Sequence, residues 1–273
     1  VGNVLKHRKP NFDFSGVPAQ WSRNLEFAHT FTAGSTGAPA VEPYLNRVLA
    51  DSKRLLPEKY KHLEREIDLF IKQETAHYQI HRKYNEQIYK AYPFLRGMEK
   101  AKADDYARFL ATKSHRFNLA YSAAFETLAL SMALFLFGKA DDLLEGADTR
   151  TLELWKWHLA EEYEHRAVCY DVYNAVYGDY FYRCYVVIFA FLHLAKHNKK
   201  AVAALLAEDR KKMSPAEVEE SIKRHKAFRR RFMGFHLPRI LKLLTPWYNP
   251  SKVPPPPGLE ATLAQYDPVP ARN

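Results

Sequence analysis

Residues 70–85 read FIKQETAHYQIHRKYN, and the fold follows from how the polar residues in this stretch are spaced. Glu74, His77, His81 and Asn85 stand at i, i+3, i+7 and i+11. At about 100° per residue these positions fall within an arc of roughly 80°, so a helix would carry them as one polar stripe. The device returns in residues 157–173, WHLAEEYEHRAVCYDVY, where His158, Glu162 and His165 again share a narrow helical face. Each of the two helices offers a Glu-x-x-His and one further histidine.

Between them lies AAFETLALSMALFLF, residues 123–137, in which Glu126 interrupts an almost continuous apolar segment. A carboxylate there is strongly penalised unless a positive charge neutralises it, and a metal ion would do so. Glu42 takes the comparable place on an earlier helix. The order is then Glu42, Glu74-x-x-His77, Glu126, Glu162-x-x-His165, with 32 residues from Glu42 to Glu74 and 36 from Glu126 to Glu162. This is the donor order of ferritin-like di-iron carboxylate bundles, in which two helices give one Glu each and two give Glu-x-x-His. A single Glu-x-x-His on an amphipathic helix is ordinarily surface decoration. Two of them in register with two isolated glutamates favour a pair of metal ions, iron first, with manganese or zinc also compatible with mixed carboxylate and imidazole donors. His158 and Asn85 are expected one layer behind the donors. Glu66, Glu161 and Glu164 point away from the stripes and read as solvated or as outer partners. His115, three turns from Glu126 on the same helical face, reads as a core histidine, with a channel position as the alternative.

Helical periodicity dominates the chain, and no alternating strand pattern stands out. The expectation is an all-α, ferritin-like four-helix bundle with additional C-terminal helices and an extended tail. An irregular N-terminal arm covers 1–37 and the metal-binding bundle 38–178. Its helices run from Pro39 to about Leu56, from Glu58 to Tyr92, from Ala103 to Phe137, and from the capping pair Asp148-Thr149 to Val176. Further helices at 179–245 begin near Phe181 and at Ser214-Pro215, and a proline-rich tail occupies 246–273.

Nearly half of the 273 residues are apolar or aromatic, enough for a sizeable core without staples. Cys169 and Cys184 have neither zinc-knuckle nor disulfide spacing, which points to a reducing, cytoplasmic setting. The first thirty residues mix charge, proline and glycine, so no secretory leader is read. The apolar run CYVVIFAFLHL, residues 184–194, is too short to span a membrane and is expected as a buried helix or a homodimer face. The net charge of +10 gathers in a late region that includes Lys196, Lys199, Lys200 and Arg229 to Arg231. Such runs favour a solvated helix face over nucleic-acid binding, and they also suit an anionic, phosphate-bearing substrate.

The stretches 70–85, 123–130 and 157–173 together resemble the predicted metal-dependent hydrolases, a family whose members include a di-iron acyl-CoA thioesterase of platensimycin and platencin biosynthesis. The resemblance covers roughly Val41 to Tyr177 and rests on Gln73-Glu74-x-x-His77-x-x-x-His81-x-x-x-Asn85. It implies Glu42, Glu74, His77, Glu126, Glu162 and His165 as metal ligands, with His81 added as the family's second histidine. The family's first glutamate follows Phe-Pro-x-Gly, where Ala38-Pro39-Ala40-Val41 precedes Glu42 here. Its C-terminal Phe-His-Pro stands here as Trp247-Tyr248-Asn249-Pro250. The implied reaction is hydrolysis of an acyl thioester such as an acyl-CoA, by a water whose pKa the metals lower, with Glu74 or Glu162 moving the proton. The rival expectation is a non-haem di-iron oxygenase on the same donors, and a third is a non-catalytic iron-binding protein.

Overall fold

The computed structural model describes residues 5–267, so the first four residues of the expected arm and the last six of the expected tail lie outside the described residues. The protein is all-α, with no strand among the described residues. Its helices are α1 (Leu25–Ser35), α2 (Ala38–Ser52), α3 (Leu63–Ala91), α4 (Leu95–Thr112), α5 (His115–Lys139), α6 (Asp141–Leu144), α7 (Thr149–Glu164), α8 (Val168–Val176), α9 (Tyr180–Arg210), α10 (Pro215–Leu243) and α11 (Leu259–Gln265).

Helix α1 corrects the reading of an irregular arm up to Gly37. Asn24 caps it by accepting from the Phe27 amide, and Phe27, Ala28, His29, Phe31 and Thr32 are buried around its circumference. A helix enclosed on all sides has no apolar stripe to betray it in sequence. Its C-terminal end is closed by Lys102 of α4, whose ammonium donates to the Ala33 carbonyl at 2.9 Å and to Thr36 Oγ1 at 3.0 Å. Burial without a carboxylate in hydrogen-bonding reach lowers the Lys102 pKa from 10.5 to about 8. The folded chain therefore binds fewer protons than the unfolded one between these values, and stability should rise with pH across that window. The gain, about 3 kcal/mol at most, should vanish in Lys102→Met, as read from urea midpoints of both proteins between pH 7.5 and 10.

Two expected helices are each two helices. The helix expected over Ala103 to Phe137 breaks at Lys113 and Ser114, where Ser114 caps α5 by accepting from the Phe117 amide. The stretch from Asp148 to Val176 breaks at residues 165–167, between α7 and α8. Asp148 caps α7 through the Thr151 amide. Helix α5 is long and apolar enough to cross a membrane, yet most of its apolar segment is buried inside the protein. It lies against α2, α7, α8 and α9, and thereby forms the axis of the core.

The run 184–194 is only half covered. Val186, Val187 and Ala190 are buried, whereas Tyr185, Ile188 and Leu192 are exposed, because α9 is an outer helix with one face on the core. Lys196, Lys199, Lys200 and Arg229 to Arg231 are exposed, as a solvated basic face requires. The tail is not extended throughout. It turns at Pro250–Lys252 and forms α11, which buries Leu259 and Leu263 against α7. The Tyr163 hydroxyl donates to the Val253 carbonyl at 2.6 Å, and Arg166 Nε donates to the Pro250 carbonyl at 3.0 Å.

Candidate metal centre

Helices α2, α3, α5 and α7 enclose two groups of donors that share one residue. Glu42, His77, His158 and Glu162 form the first, and Glu74, Glu126, Glu162 and His165 the second. Within each group one ligand atom per residue lies within 4.8 Å of the others. All seven side chains are buried. The two Glu-x-x-His stripes thus converge, and Glu162 stands between the halves.

The orientation of each imidazole is set from behind. Gln73 donates its amide to the Lys6 carbonyl at 2.9 Å and to Glu164 Oε2 at 2.6 Å, which leaves Gln73 Oε1 to accept from His165 Nδ1 at 3.0 Å. His165 Nε2 then faces inward, 3.1 Å from Glu126, 3.3 Å from Glu74 and 3.3 Å from Glu162. His77 donates Nε2–H to Glu161 at 2.9 Å and turns Nδ1 toward Glu74 at 3.2 Å. Behind His158 the chain is longer. The Asn85 amide donates to the Ser35 carbonyl at 3.0 Å, and the Ser35 hydroxyl donates to Asn85 Oδ1 at 2.5 Å. His81 Nδ1–H therefore donates to Ser35 Oγ at 2.8 Å, and His81 Nε2 accepts from His158 Nδ1–H at 2.7 Å. This assignment of tautomers rests on the hydrogen-bond network. In every case the far nitrogen is tied outward and the near nitrogen aims at carboxylates, the arrangement that metal-bound histidines adopt.

The inward atoms are acceptors facing acceptors. His158 Nε2 lies 3.0 Å from Glu162 Oε1. Glu42 Oε2, Glu74 Oε2, both oxygens of Glu126 and Glu162 Oε1 are buried without a hydrogen bond. The approaches of His165 Nε2 to Glu126 and of His158 Nε2 to Glu162 Oε1 lack hydrogen-bond geometry, whereas His165 Nε2 is within hydrogen-bond reach of Glu162 Oε2 at 3.3 Å. Buried polar atoms seldom remain unpaired, and four buried carboxylates with three convergent imidazoles suit two divalent cations in both charge and donor type. Without cations the site must hold protons in their place. Burial, reinforced by Glu74, pushes the Glu42 carboxyl well above its ordinary range, and burial with Glu162 does the same to Glu126. Burial opposes charge on His165 and His77, but Glu126 and Glu162 around the one and Glu161 and Glu74 around the other hold both well above the usual histidine range. Burial also works against the Glu162 charge, yet His158 and His165 hold its carboxyl well below. Metal binding would expel these protons.

The sequence placed His81 among the donors and His158 behind them, and the structure exchanges the two. His81 belongs to neither group and supports His158 through its ring, while His158 faces the centre. Burial, with His158 and His77 nearby, lowers the His81 pKa well below 6.5, which suits a neutral relay. Asn85 stands at the outer end of that relay. Glu161 and Glu164 are buried rather than solvated and are held by Arg8, whose guanidinium reaches Glu161 at 3.2 Å and Glu164 at 2.9 and 3.0 Å. His115 is bonded to Tyr177 and Ser52 and takes no part. Burial with Glu126 nearby pushes the Cys169 thiol well up, which removes it as a nucleophile.

A cleft of about 260 Å³ opens between α2, α3 and α4. Pro39, Arg82, Asn85, Tyr89, Arg96 and Lys100 are among its walls, so it touches the relay behind His158 at Asn85. Pro43, inside α2, lacks the amide that would bond the Pro39 carbonyl at the cleft edge.

A family model described as predicted metal-dependent hydrolase matches residues 6–253. The chain belongs to that family. It is a metal-dependent hydrolase by family, with buried histidine and glutamate groups that fit metal ions. No curated protein and no solved structure matches the chain.

Proposed function

We infer that the chain is a di-metal hydrolase, with iron as the resident metal, that cleaves an acyl thioester such as an acyl-CoA. The observation that carries the two-ion reading is the paired donor set sharing Glu162, with each inward imidazole locked from behind. Glu42, Glu74, His77, Glu126, His158, Glu162 and His165 would hold the ions, which when bound lower the pKa of a water and polarise a carbonyl. The residues of the chain do the rest. Glu74 or Glu162 takes the proton from the attacking water and returns it to the leaving thiolate. His81, Ser35 and Asn85 keep His158 in one tautomer, and Gln73 does so for His165. The cleft, whose walls mix Arg82, Arg96 and Lys100 with Glu86 and Glu99, offers an approach for substrate, and the exposed basic faces of α9 and α10 suit the phosphates of coenzyme A.

The preference for hydrolysis over oxygen activation rests on donor richness. His158 brings a third imidazole, and each added protein donor takes a position that dioxygen would need. The test is thiol release from a panel of acyl-CoA substrates by protein as purified, after chelation, and after iron is restored. Turnover lost on chelation and regained with iron is expected. Metal-replete protein inert on every thioester, or oxygen uptake coupled to turnover, would overturn the reading.

A further inference from the structure

Away from this centre, α4 and α9 bring a different set of donors together. His193 and His197 stand one turn apart on α9, so their rings share a face. Both turn Nε2 toward Oδ2 of Asp105 on α4, at 3.2 and 2.8 Å, and a ligand atom from each of the three lies within 4.8 Å of the others. The second carboxylate oxygen, Oδ1, is occupied by Arg108 at 2.5 Å, which orients Oδ2 toward the rings. On the far side of His193, Nδ1 lies 2.7 Å from the Tyr121 hydroxyl, itself 3.2 Å from the Tyr106 hydroxyl. Both tyrosines are buried in the core, so packing rather than solvent fixes this support.

We propose that Asp105, His193 and His197 form a separate site for a divalent transition-metal ion of the zinc class, which ties α4 to α9. Two imidazoles and one carboxylate on one side of an ion are a common protein donor set for zinc, with remaining positions left to water. Water reaches them here, since the side chains of Asp105, His193 and His197 keep 22, 10 and 15% of their exposure. With an ion on Nε2, His193 donates Nδ1–H to the Tyr121 oxygen and Tyr121 donates onward to Tyr106. The direction of the existing 2.7 Å bond simply reverses.

The test is zinc uptake by the full chain with the carboxylate centre already loaded, followed by competition with a chromophoric chelator. Wild-type protein should take up one zinc more than a variant carrying both His193→Gln and His197→Gln, whose carboxylate centre keeps its metal content. Cobalt should give a visible absorption band in the wild type that the double variant lacks. Tyr121→Phe should raise the zinc Kd about 10- to 100-fold, since it removes only the outer partner of His193. Zinc should raise the Tm of the wild type but not that of Asp105→Asn, an isosteric change that keeps the comparison available if the double variant does not fold. Equal zinc uptake by wild type and double variant, or a zinc-dependent rise in Tm that survives Asp105→Asn, would overturn the site.

Discussion

Glu126→Ala protein, purified without chelator, should hold no more than half the metal of the wild-type chain and lose at least about a thousandfold in hydrolytic kcat/KM. Glu126 is fully buried, neither of its oxygens has a hydrogen bond, and it stands with Glu74, Glu162 and His165 in one half of the centre. Its removal takes a charged donor from that half and leaves the other half, around Glu42, His77 and His158, with all its donors. Glu126→Gln separates a metal-binding role from a structural one. In metal-free protein the wild-type carboxyl is held neutral by burial and by Glu162, so its isosteric amide should leave the stability within about 1 kcal/mol. The increment from saturating metal should shrink instead, by up to about 4 kcal/mol where the wild type is a thousandfold above its Kd. Metal content equal to wild type in Glu126→Ala, measured by elemental analysis, would remove Glu126 from the centre.

Arg8→Met should be the most destabilising single substitution outside the donor set. The guanidinium is 2% exposed and serves Glu161, Glu164 and Asp267 together. Methionine fills similar space but abandons two buried carboxylates, a change that costs about 3–5 kcal/mol. That corresponds to a fall in Tm of roughly 10 °C for a chain of this size. Metal retention should fall with it, since Glu161 accepts the outward N–H of His77 and Glu164 accepts from the Gln73 amide that orients His165. Thermal unfolding of the metal-free and metal-loaded variant tests both parts. A loss under 1 kcal/mol would show that the pair of glutamates is satisfied without Arg8.

The contrast between Glu126 and Arg8 marks what was legible in the sequence. Glu126 could be singled out because fourteen mostly apolar residues surround it, and the stripes on α3 and α7 because helical spacing is local. Arg8 left no trace, since its partners lie 153 and 156 residues away and an arginine in a charged, proline-bearing segment reads as solvated. The exchange of His81 and His158 has a similar cause. Both lie on the correct faces, and which ring reaches inward depends on how far along its axis each helix presents it to the other, which spacing on one helix cannot fix. Helix α1 was missed because it is enclosed on all sides, and the break after Glu164 because nothing in Glu-His-Arg-Ala resembles a stop. The donor trio on α4 and α9 was invisible for the reason that hid Arg8, with Asp105 lying 88 residues from His193.

Arg8 also joins Asp267, 259 residues further along the chain. The candidate metal donors fall between residues 42 and 165, so all of them precede Asp267 in the chain. Arg8 can meet Glu161 and Glu164 as soon as those residues are made, whereas its bond to Asp267 must wait for residue 267. The support behind His77 and His165 therefore closes in chain order, with Glu161 and Glu164 first and Asp267 last.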